Sequence, residues 1–263
     1  MRKSLIILLL IGSLSGFNLE LSNKEAQIIA NKIWQNEGSG KRKYLVWWNK
    51  GEEFASLGIG HFIWFTKDKP MWFFHAFPDM LNFIIKEGAK PPKWLKPNSY
   101  CVWNSYEEWK EAKRKNTKKM RELTEFLDRT KALQAKYMVH RLNRAYDKLL
   151  DYAKTPTERE KIKQNFQRML FKNGKVDMQG AYCLIDYTNF KGDGTLESER
   201  YQGYGWGLFQ VLKHMDSNNP NKYKAFANSA RYILDRLIRV SPPERNLKRF
   251  RRGWFNRIKT YEK

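Results

Sequence analysis

Glu37 lies three residues after Trp34 and four after Ile33, so on a helix it falls on the same face as an apolar stripe. A carboxyl at the end of a buried stripe loses hydration, which disfavours its charged form, and a neutral carboxylic acid near pH 7 is what general acid catalysis requires. The negative end of the helix dipole pushes the same way. The competing reading is that Glu37 reaches past the helix end to a cation such as Lys41 or Arg42. A second concentration of polar, aromatic and glycine residues runs from Asp186, Tyr187 and Asn189 through Asp193-Gly194 to Glu199, Tyr201, Gln202 and Gly203. This is the composition of a sugar-binding loop, in which rings stack on pyranose faces while amides and carboxylates hold hydroxyls; the alternative is an ordinary surface loop. Asp193-Gly194 lacks the alternating acidic spacing of a calcium loop, and no Cys/His spacing fits zinc, so neither a metal nor a cofactor is expected.

Beyond Glu37 the chain reads Glu37-Gly38, Tyr44, Asn49, Gly51 and Ser56-Leu57-Gly58-Ile59-Gly60-His61. Over about residues 25 to 66 this resembles phage-type lysozymes. In that family a Glu-Gly at the end of the first helix supplies the general acid, a Tyr and an Asp follow, and a Thr-Ile-Gly-x-Gly-His strand lines the cleft floor. The resemblance implies that Glu37 protonates the glycosidic oxygen, that Ser56 stands for the Thr that holds water or substrate, and that Tyr44, Gly58, Gly60 and His61 line the substrate. Gly58 and Gly60 would let sugar approach the backbone closely. His61 is also open to the plainer reading of a half-buried structural histidine.

The family's Asp falls here at Asn49, and an amide cannot act as base or nucleophile. Glu52 or Glu53 could substitute. Otherwise a single carboxyl works, as in lytic transglycosylases, where one Glu is acid and then base while the muramic acid 6-hydroxyl attacks. Gly205-Trp206-Gly207-Leu208-Phe209-Gln210 is similar to the helix start that flanks the cleft in lysozyme-fold transglycosylases, which would place Gln210 at the substrate. The expected function is an exported glycosidase cutting the MurNAc-GlcNAc β-1,4 bond of peptidoglycan strands.

The elements that must hold these residues are mainly helical. Ser22-Asn23-Lys24-Glu25 is a capping box opening a helix that Gly38 closes. Short strands are expected between Tyr44 and Phe65, and irregular chain with a short helix near 79–87 follows to Pro97. Helices are then expected from Ser105-Tyr106-Glu107-Glu108, across 118–153, from Thr157 to Phe171, and over 178–187, 206–215 and 223–240. The expected fold is α+β, a lysozyme-like helical domain over 17–263 with a small β-hairpin region and a helical insertion around 100–175.

With 41% hydrophobic residues and 15% aromatics, the chain has too much core-forming surface for a disordered basic tail. Fifty Lys and Arg against 27 acids give +23, a balance that suits an anionic polymer. Residues 1–16, with Arg2-Lys3, the apolar run Leu5–Ile11 and a small-residue end, read as a signal peptide cleaved near Ser15 or Gly16. The run is too short for a transmembrane anchor, so a periplasmic or secreted location is expected, with no role for nucleic acid. Cys101 and Cys183 are compatible with one disulfide or with two buried thiols. A rival reading is a non-catalytic basic envelope or polyanion-binding protein, for which the charges on 110–136 and interleaved aromatics would equally serve. Such charges on a long helix also read simply as its solvated face.

Overall fold

The computed structural model describes residues 17–67, 69 and 74–263; the expected signal peptide lies outside them. The protein is mainly helical, with ten α-helices and three small antiparallel sheets among the described residues. Helix α1 (Asn23–Gly38) begins with the capping box read from sequence, Ser22 accepting from the Glu25 amide while the Glu25 carboxylate takes the Ser22 amide. Its Ala26, Ile29, Ala30 and Ile33 are buried, and Ser39, in the left-handed region at φ 51°, turns the chain away.

Strands β1 (Val46–Trp47), β2 (Phe54–Leu57) and β3 (Phe62–Phe65) form a meander with Val46 opposite Leu57 and Leu57 opposite Phe62. Helix α2 (Ala76–Lys86) packs on β3. Next come α3 (Tyr106–Arg114), α4 (Lys118–Arg129), α5 (Lys131–Tyr152) and α6 (Pro156–Leu170). The continuous helix expected across 118–153 breaks at Thr130, whose hydroxyl bonds back to the Phe126 carbonyl at 2.8 Å. The cap of α6 is Thr155 rather than Thr157, because Pro156 occupies the first helical position, where its missing N–H costs nothing. Glu108 takes the amide of Asn104 rather than that of the cap Ser105.

Helix α5 packs on α1, α2, α6 and α7 (Met178–Lys191). One hydrophobic cluster runs from Leu19 to Tyr261 and includes α5, so the 100–175 segment supplies part of the central core. In α7 every residue from Gly180 to Thr188 is buried, which makes it a helix enclosed on all sides. It continues past the expected end at Tyr187 to Lys191 and stops at Gly192, φ 80°, so residues 188–191 are helix and not the loop their polarity suggested. Burial against neighbours outweighs local composition there.

Two further hairpins were not read from sequence: β4 (Phe171–Lys172) with β5 (Lys175–Val176), and β6 (Arg200–Tyr201) with β7 (Tyr204–Gly205). Helices α8 (Leu208–His214) and α9 (Lys222–Val240) follow. A last helix, α10 (Arg251–Lys259), also unforeseen, lies against α9. Cys101 and Cys183 are both free and buried, the second of the two readings left open by the sequence; burial pushes the Cys101 thiol up to about 12. Among the described residues no helix is long and apolar enough to cross a membrane.

Candidate functional site: a carboxylate on a buried arginine

Glu37 ends α1 with its side chain 17% exposed. Its neighbour is neither Lys41 nor Arg42. Arg42 instead pairs with Glu125 and Asp128 of α4. Arg257 of α10, 8% exposed, donates Nη1 to Glu37 Oε1 at 2.7 Å and gives Nε and Nη2 to the two oxygens of Asp186 at 2.8 Å each. Asp186, fully buried on α7, also accepts from the Tyr261 hydroxyl at 2.6 Å and from Asn36 at 3.5 Å. This bidentate fork is the arrangement in which a guanidinium holds a carboxylate most firmly. Asp186 is therefore a positioning residue for Arg257, closed to solvent, and not the sugar-binding group expected.

His61 sits in the β2–β3 turn at φ 48°, with Nδ1 3.6 Å from Glu37 Oε2. Two contacts fix that turn. Gln134, completely buried on α5, accepts from the Ile59 amide at 2.9 Å and donates to the Leu127 carbonyl at 2.7 Å. Asn189 of α7 donates to the Gly60 carbonyl at 3.2 Å and accepts from Arg141 at 3.2 Å, so its amide is spent on the scaffold. Both glycines are explained by the same packing: a Cβ on Gly58 would stand 2.3 Å from Gln134 Oε1, and one on Gly60 2.3 Å from the Met138 methyl. They admit helix α5, where the resemblance had them admitting sugar.

The electrostatics reverse the sequence argument for Glu37. Burial alone would raise its pKa, but the charges of Arg257, His61 and Lys191 and the Arg257 hydrogen bond together hold it below the usual carboxylate range. In the free protein it is ionised. Lys191, at the end of α7, is pushed down to about 7 by burial first and by Arg257 second; its ammonium lies 3.6 Å from the Trp254 ring centre and 4.3 Å from that of Phe190. Glu199 sits over Gly192, one residue beyond Lys191, accepting the Gly194 amide at 2.6 Å. Burial and the charge of Asp193 raise it to about 7. Two carboxyl groups therefore meet the same end of α7, one ionised and one titrating near neutrality.

The other expected site residues make their contacts elsewhere. Asn49 is exposed in the β1–β2 turn, accepting from Trp47 at 2.8 Å and donating to Glu52 at 3.1 Å, and burial raises the Glu52 pKa. Glu53 pairs with Lys69. Tyr44 meets Trp47 edge-on, and Ser56 is buried opposite Trp47 and Ile63. Tyr201 lies against Trp206, and exposed Gln202 reaches the Val240 carbonyl. Gln210 donates to the Gly194 carbonyl at 3.0 Å while the first α8 amides bond to Gly192 and Asp193. The Gly205–Gln210 motif thus clamps α8 onto the 192–194 loop, with one Gln210 N–H spent on the Gly194 carbonyl. Sequence reasoning missed Arg257, Lys191 and Tyr261. The signal available was Trp254, Arg257-Ile258 and Tyr261 recurring at helical spacing in an otherwise basic tail.

No family model, curated protein or solved structure matches this chain. The functional reading rests on the site itself. Among the described residues no cluster of three or more His, Cys, Asp or Glu is placed to hold a metal ion.

Proposed function

We propose that the protein is an exported, lysozyme-like glycosidase that cleaves the MurNAc-GlcNAc β-1,4 bond of peptidoglycan, with Glu37 as the reacting carboxyl. The observation that carries this is a partly exposed carboxylate at a helix end, held opposite a Gly-x-Gly-His turn and braced from behind by the Arg257–Asp186 pair. Asp186 holds Arg257 by two bonds and Glu37 by only one, so Glu37 is the detachable partner. A glycan lying over Glu37 excludes water, strengthening the burial that already pushes its pKa up, while Lys191, titrating near 7, offers a nearby proton. Protonated Glu37 gives its proton to the glycosidic oxygen as the C1–O bond breaks; the resulting carboxylate then takes a proton from the nucleophile attacking C1.

With Asn49 tied to Trp47 and Glu52, the substrate's own 6-hydroxyl is the favoured nucleophile, giving 1,6-anhydro-MurNAc ends. A second division of labour is favoured by one observation, the Glu199 pKa near 7: Glu199 would be the acid and Glu37 the ionised partner, the usual pattern of two carboxyls with separated pKa values. Digestion of purified sacculi followed by mass analysis tests both. Glu37→Gln should lose cleavage while retaining fold and wall binding. Wild-type clearance by Glu37→Gln would overturn the assignment, and loss confined to Glu199→Gln would transfer the acid role.

A further inference from the structure

We propose that a second site, separate from the Glu37 cluster, binds an oxyanion carried on a sugar-sized molecule. It is a cavity of about 460 Å³ between the end of α5, the β6–β7 hairpin, α8 and α9. Two of its lining residues, Arg200 and Arg236, carry buried guanidinium nitrogens without a hydrogen-bond partner among the described residues, Arg200 Nη2 and Arg236 Nε, while a third unpartnered lining atom, the acceptor Gln210 Oε1, is suited to a sugar hydroxyl and not to the anion. A buried guanidinium N–H with no acceptor is costly, and natural proteins rarely tolerate several in one place unless something else fills the need. A small rotation of either fork toward a bound acceptor meets it.

The charge agrees. Lys154, Arg200, Lys213 and Arg236 line the cavity against one carboxylate, Glu158, which Lys213 already neutralises at 2.5 Å. The guanidinium groups are oriented by aromatic rings: Arg200 lies 5.3 Å from the Tyr152 ring centre and Arg236 5.1 Å from that of Tyr204, and Arg236 Nη2 is further anchored to the Gly205 carbonyl at 3.0 Å. Arg200 keeps one other charged contact, Glu197 at 3.3 Å, whose side chain is 87% exposed and free to yield. Planar forks held on rings are suited to carboxylate or phosphate, while exposed Tyr204 offers a face for a pyranose. The volume exceeds what a bare anion fills, which favours an anion with a body attached. Because the site shares no residue with the Glu37 cluster, it stands whether or not the glycosidase reading does.

Titration calorimetry and Arg Nε–Hε NMR of the full chain test this with two pairs of probes: glucose 1-phosphate against glucose, and N-acetylmuramic acid against N-acetylglucosamine. The charged member should bind roughly tenfold or more tightly in at least one pair, shifting the Arg200 and Arg236 Nε–Hε signals, and the pair that responds tells phosphate from carboxylate. Arg236→Gln should weaken that binding roughly 10- to 100-fold, Arg236→Lys less, and Arg121→Gln, in a different basic cavity of about 470 Å³, not at all. Should the arginine variants fail to fold, the wild-type signals and exposed Tyr204→Ala carry the test. Equal affinity for charged and neutral sugars, unmoved Arg200 and Arg236 signals, or equal loss in Arg121→Gln would overturn the proposal.

Discussion

Removing Arg257 is the perturbation whose cost the structure fixes best. In Arg257→Met the side-chain volume is nearly kept, but Asp186, with no exposed surface, loses both guanidinium bonds and keeps only Tyr261 and a long contact to Asn36. Breaking a buried pair from one side costs about 3–5 kcal/mol because the orphaned charge stays behind. For a chain of this size that corresponds to a fall in Tm of roughly 6–20 °C. Replacing both members, Asp186→Leu with Arg257→Met, removes the orphan and should recover a large part of the loss, since a matched apolar pair is often neutral or better. Urea denaturation followed by circular dichroism on the four corners of the cycle supplies the coupling energy. A single-variant loss under about 1 kcal/mol, or a double variant as unstable as the sum of the singles, would refute the view that Asp186 and Arg257 form an obligatory buried pair.

Between pH 7 and about 10 the unfolded chain holds a proton on Lys191 that the folded protein has released, so folding stability should rise with pH in that window by up to about 1.4 kcal/mol per unit. Lys191→Met should flatten that rise in urea titrations at pH 7, 8 and 9, and an unchanged slope would show the lysine titrates normally. Gly58→Ala forces a Cβ into Gln134 at a φ of 71° and should cost about 2–4 kcal/mol by the same denaturation assay, whereas a neutral result would mean the turn is not held by α5. Binding to isolated sacculi should weaken steeply between low and physiological salt, because exposed charges are screened beyond about 8 Å at physiological ionic strength; salt-insensitive binding in a pull-down would assign recognition to pocket contacts instead.

What could be read in advance was local. The Ser22–Glu25 box, the strand region around Trp47 and Phe62, and the placing of Glu37 at a helix end all follow from neighbours within a few residues. The errors arose where distant partners decided the outcome. Beyond Tyr187 the polar string up to Gly192 looks like a loop because it carries no clean helical stripe, yet α7, enclosed by its neighbours through Thr188, runs on to Lys191. The pKa of Glu37 was argued from its own helix alone, and the sign changed when a cation from the far end of the chain came into contact. Gly58 and Gly60 are read from sequence as places where sugar approaches the backbone, but the fold fills that space with Gln134 and Met138.

Glu37 and Arg257 are separated by 220 residues. Closing so long a loop costs roughly 5 kcal/mol of chain entropy before any contact rewards it, a cost that falls if the intervening helices are packed before α10 docks. During synthesis both acids appear well before their cation, and a chain ending before Arg251 would have to seal Asp186 into the core uncompensated or leave that core open. The acid sealed on α7 is thus matched only at the end of synthesis: the arginine that compensates Asp186 and helps hold Glu37 below the usual carboxylate range arrives only with the final helix.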